Sequence, residues 1–348
     1  MSILNTAKPG GVSQSKNLGD FALKYAIYIV FVLLVVVIAL KEPDFVSVEN
    51  FRNILSMSST RFIIALGVGG ILISGGTDLS AGRQVGLAAV VSASLLQQLD
   101  YARRMYPHLQ QLPLWVPILL AMVVCGLIGL LNGFVVAKLK VPPFIATLGT
   151  WLAVYGLNSM YFDRPPYGAQ PIGGLDARFT NLGSGFIGKD PVYSLPYIVA
   201  IALTVAVGVW VLYNKTRFGK NLYAIGGNPE AAKVSGVNVA KNLMFMYVFA
   251  GVLYGLAGCL EAARTGGATN NYGNMYELDA IAAAVVGGVS TSGGIGTVPG
   301  IMVGVLIFSV INYGLTFIGM SPYLQLVVKG AIILAAVAID IRKYLTKK

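Results

Sequence analysis

The chain has 348 residues, of which 56% are hydrophobic and only 11% are charged. Soluble domains average about 45–50% and about 25% respectively, so soluble enzymes, disordered regulators and DNA-binding domains are poor matches and a polytopic membrane protein is indicated. The net charge of +11 is compatible with nucleic acid, with anionic lipid or with membrane topology.

Apolar runs close to the length of a bilayer-spanning helix recur along the whole chain. They predict an all-α fold of ten transmembrane helices, at about 21–40, 61–75, 84–99, 114–137, 143–162, 193–213, 243–263, 278–290, 297–317 and 322–340. Residues 1–20 are predicted to be a flexible cytoplasmic N-terminus, 21–340 the transmembrane domain and 341–348 a basic cytoplasmic tail.

The distribution of Lys and Arg predicts the orientation. With the N-terminus inside, 15 basic residues, Arg83 among them, fall on the cytoplasmic side and 9 on the outer side. The Arg103-Arg104 pair runs against this bias, but the balance favours cytoplasmic N- and C-termini. The excess positive charge is then explained by the concentration of Lys and Arg on the cytoplasmic side, and no nucleic-acid partner is expected.

Residues 45–60 carry apolar side chains at helical spacing. They are Phe45, Val48, Phe51, Ile54 and Leu55. This pattern predicts a separate amphipathic helix lying on the outer membrane interface.

Two glycine-rich segments form an internal repeat. Residues 68–86 (VGGILISGGTDLSAGRQVG) and 286–304 (VGGVSTSGGIGTVPGIMVG) are identical at nine of nineteen positions when shifted by 218. Each follows a run, 61–75 or 278–290, that is short for a membrane span. Short, glycine-interrupted segments at matching positions indicate a transporter's substrate pathway, and close helix packing by glycine is an equally weighted interpretation.

Polar groups within the predicted spans are few, so each is a candidate for the pathway. Lys329 lies deep in its span and is expected to pair with Asp78 or Asp279, as a structural ion pair or as part of the pathway. The candidate pathway residues are Gly75, Gly76, Asp78, Asp279, Gly293, Gly294, Asn312 and Lys329.

The predicted cytoplasmic loop 214–242 contains a complete start and stop signal for one short helix at about 229–235. Asn228 is a favoured N-cap, Pro229 suits the first helical position, and Glu230 opposes the positive end of the helix dipole. Gly236 suits the left-handed position that ends a helix. So short a helix needs a surface to dock on, either its own bundle or a cytoplasmic partner.

The sequence predicts no catalytic residue, metal site or bound cofactor. Cys125 and Cys259 lie in apolar runs and His108 is the only histidine, so no catalytic triad or metal cluster is available.

Four segments resemble the permease subunits of bacterial monosaccharide ABC importers, a family that includes ribose, xylose and arabinose permeases. They are SGGTDLSAGRQVGLAAVV (74–91), PPFIATLGT (142–150), NKTRFGKNLYAIGGNPEAAKVSGVNV (214–239) and YELDAIAAAVVGGVSTSGGIGTV (276–298). The resemblance covers nearly the whole chain from about residue 25, and within the family it favours galactose or methyl galactoside as the sugar.

The resemblance implies a homodimer in the inner membrane that docks on cytoplasmic ATP-binding subunits, where ATP is used, and receives sugar from a periplasmic binding protein. It also implies a coupling helix to the ATPase, formed by Asn228, Pro229, Glu230, Ala231, Ala232 and Gly236. Tight sugar recognition is expected to belong to the binding protein, which accounts for the lack of an obvious cluster of aromatic and carboxylate side chains in this sequence. The alternatives are an ion-coupled secondary transporter, which needs more intramembrane acids, a passive channel and, least favoured, a membrane enzyme.

Overall fold

The computed structural model describes residues 18–164, 168–188 and 194–345. The helices there are α1 (Leu18–Lys41), α2 (Val48–Ile73), α3 (Ala81–Leu95), α4 (Trp115–Ala137), α5 (Pro143–Phe162), α6 (Ala177–Ser184), α7 (Tyr197–Lys215), α8 (Arg217–Gly227), α9 (Pro229–Val234), α10 (Val239–Thr265), α11 (Tyr276–Val286), α12 (Val298–Phe317) and α13 (Pro322–Leu345). A 3₁₀ turn, Pro43–Phe45, precedes α2, and an antiparallel pair, β1 (Phe186–Ile187) and β2 (Leu195–Pro196), lies between α6 and α7.

Each of the ten predicted apolar runs falls on a helix. Within the described residues, five helices are long and apolar enough to cross a membrane by length and composition: α2, α4, α7, α10 and α12. Most of the predicted N-terminal segment, 1–17, and the last three residues of the predicted tail, 346–348, lie outside the described residues. The helices reach into both predicted segments, since α1 begins at Leu18 and α13 continues to Leu345.

The prediction of a separate interfacial helix at 45–60 is wrong. Residues from Val48 onward form the first half of α2, which continues without a break to Ile73. The polar run at its middle does not end the helix, because the hydroxyls of Ser58 and Ser59 donate to the Leu55 carbonyl. The Thr60 hydroxyl donates to the buried carboxylate of Glu261 on α10, at 2.8 Å. Residues 61–73 are therefore not a short span but the second half of a 26-residue helix, and residues 74 and 75 belong to the turn that follows it.

The second predicted short span is confirmed as a short helix. Helix α11 has 11 residues, a length of about 16 Å. The chain reaches its start through the mostly irregular segment 266–275, whose Tyr272 carbonyl packs against Gly86 of α3. Irregular backbone within a membrane-spanning bundle needs surrounding protein to satisfy its N–H and C=O groups.

Helix α10 is at the centre of the bundle and packs on α2, α3 and α4. Gly251 and Gly255 bring its backbone against Cys125 and Met122 of α4, while Gly304 of α12 packs against Ala283 of α11. Glycine therefore serves close helix packing here, as one of the two interpretations of the motifs predicts.

Candidate translocation and coupling site

The short helix predicted at 229–235 is confirmed as α9. The Asn228 side chain caps it, with Oδ1 accepting a hydrogen bond of 3.0 Å from the Ala231 N–H. The helix ends where Gly236 adopts a φ of +83° and Val237 donates its N–H to the Ala232 carbonyl. No neighbouring atom would meet a Cβ at Gly236, so the left-handed backbone alone accounts for glycine at this position.

The outer surface of α9 is uncovered in the single chain. Ala232 is buried against the bundle, whereas Glu230, Ala231 and Lys233 are exposed and Val234 is 89% exposed. An open groove adjoins the end of the helix and is lined by Phe218, Gly236, Val237, Lys241 and Phe245 among others. The exposed surface of α9 therefore combines one apolar side chain, charged neighbours and an adjoining groove.

Helices α8 and α9 meet at a single residue. Asn228 ends α8, where its N–H donates to the Ala224 carbonyl, and it caps the start of α9. Just before this joint, Gly226 packs against the Ile73 carbonyl at the end of α2 and against the Gly294 N–H. The start of α9 is therefore connected through Asn228 to the end of α8.

The two glycine motifs come together at this point. The Gly294 N–H donates a hydrogen bond of 2.8 Å to the Ile73 carbonyl, and a Cβ added at Gly293 would lie 3.0 Å from Gly75 Cα. We call Gly75, Gly226, Gly293 and Gly294 the glycine junction. It joins the turns that follow α2 and α11 to the helix that precedes α9.

One tyrosine holds α8 to the turn before α12. The Tyr223 hydroxyl donates a hydrogen bond of 2.8 Å to the Gly296 carbonyl. Burial raises the pKa of Tyr223, so the hydroxyl stays a neutral donor over the physiological pH range.

Asp78 lies next to the junction in a buried polar network. Its Oδ1 accepts hydrogen bonds from the Ser80 N–H (2.8 Å) and from the Ser80 hydroxyl (2.6 Å). The Ser80 Oγ accepts in turn from Gln84 of α3 and Asn132 of α4. These bonds fix the turn 74–80 against two helices, while Gly76 packs against the Tyr247 hydroxyl and Ile71.

Asp279 lies in a second cluster and accepts from two cations. Its Oδ2 is 2.6 Å from Arg61 Nη1 and 3.1 Å from Lys329 Nζ. The expected pairing of Lys329 with an acid is thus confirmed for Asp279 rather than Asp78, and Arg61 is an additional partner. Asn312 lines the same small cavity as Asp279 and Arg61.

The structure thus divides the predicted pathway residues into two groups. Gly75, Gly76, Asp78, Gly293 and Gly294 lie at or beside the glycine junction, and Asp279, Asn312 and Lys329 lie around the ion-pair cluster. Sequence reasoning missed Gly226 and also placed Arg83 in a cytoplasmic segment, whereas Arg83 is only 6% exposed inside the bundle. The Gly226-Gly227 pair directly before the Asn228 cap was the available signal for the junction.

Comparison with known proteins assigns this arrangement to a class. The model of the branched-chain amino acid transport system / permease component family matches residues 50–337. The chain belongs to this family of transport permeases.

Several curated relatives match over nearly their whole length. The chain is 56% identical over 322 residues to the galactose/methyl galactoside import permease protein MglC of Escherichia coli K12, covering 92% of this chain and 95% of the relative. Identity to the protein of the same name from Haemophilus influenzae is 55% over 329 residues, covering 94% and 97%. The ribose import permease protein RbsC of Bacillus subtilis is 37% identical over 313 residues, covering 89% and 90%. No solved structure matches the chain.

Proposed function

We propose that this chain is the membrane-spanning permease subunit of an ATP-driven importer and carries galactose or methyl galactoside across the bacterial inner membrane. Ten helices span the bilayer, with both termini in the cytoplasm. Two copies form the pathway, cytoplasmic ATP-binding subunits bind and hydrolyse ATP, and a periplasmic binding protein delivers the sugar. The chain itself binds no cofactor. The observation that carries the proposal is the capped, uncovered helix α9, joined through Asn228 to the glycine junction.

The choice of sugar rests on the relatives. The family description refers to branched-chain amino acids, but the relatives at 55–56% identity are named for galactose and methyl galactoside. Those named for ribose stand at 34–37%. Galactose is therefore favoured over ribose.

The mechanism is alternating access driven through α9. Closure of the ATP-binding subunits moves α9, and the joint at Asn228 passes the movement to Gly226. Because Gly226 touches both glycine motifs, α2 and α11 move together and the pathway opens outward to accept sugar. Hydrolysis returns it to the inward-facing state. The two predicted groups of pathway residues, at the junction and around Asp279, form walls that move in this step.

Helix α5 supports the assembly of two copies. Leu148, Leu152 and Leu157 on this helix are exposed in the single chain. Gly149 and Gly156 of α5 have no atom within 4 Å of an added Cβ. Exposed small residues two turns apart on the same face of a helix allow close approach of another helix in a membrane, so α5 is the helix that faces the second copy in this proposal.

The transport activity is tested in proteoliposomes that contain this chain, its ATP-binding subunits and its sugar-binding protein. Labelled galactose is expected to accumulate only when ATP is present on the cytoplasmic face, and collapse of the proton gradient is expected to leave uptake unchanged. Uptake that follows the proton gradient instead would establish a secondary transporter. Uptake of ribose in preference to galactose would refute the assigned sugar.

The coupling role of α9 is tested by Glu230→Ala and Gly236→Val. Both are expected to leave membrane insertion intact and to reduce the sugar imported per ATP hydrolysed. Glu49→Ala is the matched control, because Glu49 is also an exposed acid in the first turn of a side-chain-capped helix, α2. Wild-type uptake in both α9 variants would refute the assignment.

A further inference from the structure

A buried group of aromatic, charged and amide side chains lies between α3, α5 and α11. It contains Arg83 of α3, Trp151 and Tyr155 of α5, and Glu277 in the first turn of α11. We call these four residues the aromatic–charge cluster. Arg83 and Glu277 are 6% and 5% exposed, whereas both aromatic side chains are half-buried.

The contacts within the cluster fix its geometry. The Arg83 guanidinium carbon lies 4.4 Å from the centre of the Trp151 ring and 4.1 Å from the centre of the Tyr155 ring. The Trp151 Nε1–H donates a hydrogen bond of 3.1 Å to Glu277 Oε1. Arg83 Nη2 donates one of 2.8 Å to the side-chain oxygen of Asn274. The Trp151 and Tyr155 rings thus contact the Arg83 guanidinium, and the indole N–H of Trp151 binds the Glu277 carboxylate.

Several buried polar atoms of this region are left without hydrogen-bond partners among the described residues. They are Arg83 Nε and Nη1, Glu277 Oε2 and Asn158 Oδ1. The ion pairs of the described chain do not include one between Arg83 and Glu277. Leaving buried charged groups with open hydrogen-bonding positions is costly, so such positions call for an explanation.

The cluster lies about halfway along the membrane-spanning bundle. Trp151 and Tyr155 are near the middle of α5, and Glu277 begins α11, which starts within the bundle after the irregular segment 266–275. Transporter substrate sites lie near the bilayer midplane beside interrupted helices. The aromatic side chains also belong to α5, the helix proposed above to face the second copy.

We infer that the aromatic–charge cluster is a sugar-binding subsite of the translocation pathway, a step that rests on the proposed function. Sugar hydroxyls donate to Glu277 Oε2 and accept from Arg83 Nε and Nη1. The apolar face of a pyranose ring packs on the accessible surfaces of Trp151 and Tyr155. The expectation that tight sugar recognition belongs to the binding protein is unaffected, because this subsite holds the sugar only in passage.

The test uses the complete transporter in proteoliposomes and a photoreactive diazirine derivative of methyl galactoside. During ATP-driven transport the probe is expected to label the segment 146–158, and excess galactose is expected to suppress the labelling. Glu277→Gln is expected to lower galactose imported per ATP hydrolysed about tenfold, with binding-protein-stimulated ATP hydrolysis within about twofold of wild type.

Two further variants separate binding from folding. Glu277→Asp keeps the carboxylate and is expected to recover part of the transport ratio, whereas Trp151→Phe keeps an aromatic ring but loses the donor to Glu277 and is expected to be intermediate. Trp210→Phe on α7 is the matched control and is expected to behave as wild type.

Two results would overturn the subsite: wild-type transport ratios in both Glu277→Gln and Trp151→Phe, or labelling found only outside the cluster. Absence of ATP-dependent sugar uptake by the wild-type transporter is a different result, and it would overturn the proposed function together with the inference.

Discussion

Arg61 and Asp279 form an ion pair of 2.6 Å and are separated by 218 residues, the offset that relates the two glycine motifs. Each repeat therefore contributes one partner from the equivalent position. Because Arg61 lies on α2 and Asp279 on α11, the pair fastens the two repeats to each other. The glycine junction fastens the same two segments again at their far ends, through the bond from Gly294 to Ile73.

Asp279→Asn is expected to destabilise the protein more than Lys329→Ala. Removal of the carboxylate leaves two partly buried cations, Arg61 and Lys329, facing a neutral amide, at a cost of about 3 kcal/mol, the lower end for breaking a buried pair. Lys329→Ala leaves the shorter pair with Arg61 intact. Thermal unfolding in detergent can be followed with a thiol-reactive dye, because Cys125 and Cys259 are both buried.

Arg178→Ala is the control for this comparison. Its ion pair with Asp176 involves an arginine side chain that is 51% exposed, so the expected loss is below about 1 kcal/mol. An Asp279→Asn melting temperature equal to that of Arg178→Ala would contradict the structural role of the cluster.

Gly226→Ala is expected to impair folding or transport, whereas Gly227→Ala next to it is expected to be tolerated. A Cβ at Gly226 would collide with the Ile73 carbonyl and the Gly294 N–H, and one at Gly227 would meet no atom within 4 Å. Overpacking of this kind costs about 1–3 kcal/mol. Melting temperature and galactose uptake are measured for both variants. Equal values would contradict the prediction, because they would show that Gly226 need not contact Ile73 and Gly294 closely.

Asn228→Ala is expected to loosen α9 selectively. Loss of the cap costs about 1 kcal/mol, and α9 has only six residues to resist it. Asn238→Ala is the control, since Asn238 caps the 27-residue α10 by the same side-chain bond. Hydrogen exchange of residues 229–234 should rise in the first variant and remain unchanged in the second, with uptake reduced only in the first.

Leu152→Cys is expected to cross-link two copies through a short bifunctional thiol reagent. Leu152 of α5 is 61% exposed, and Leu127 of α4, the control, is 60% exposed. The native cysteines are buried and do not compete for the reagent. A cross-linked dimer from Leu127→Cys but not from Leu152→Cys would place the second copy elsewhere.

Local sequence signals predicted α9 completely. Asn228, Pro229 and Gly236 act on the backbone within a few residues, so their spacing determines the start and the end of the helix. The apolar runs likewise locate each long helix. The continuation of α2 was missed because Ser58 and Ser59 bond within the helix and Thr60 bonds to Glu261 of α10, which composition alone does not show.

The aromatic–charge cluster was missed because its members are distant in sequence. Arg83 lies within the first glycine motif but was counted as a cytoplasmic charge, and Glu277 was not included among the intramembrane polar groups. Only packing of α3 against α5 and α11 brings them beside Trp151 and Tyr155. One signal was present in the sequence, since each of these charges adjoins an apolar run.

The shortness of α11 has a consequence for how movement reaches the sugar. Its 11 residues place Glu277 at one end and the turn leading to Gly293 and Gly294 at the other. A helix of only three turns bends little, so we expect a displacement of one end of α11 to displace the other end by a similar amount. One residue inserted within α11 would turn Glu277 by about 100° around the helix axis relative to the other end. The carboxylate would then lose its hydrogen bond from Trp151 while the helix itself remained.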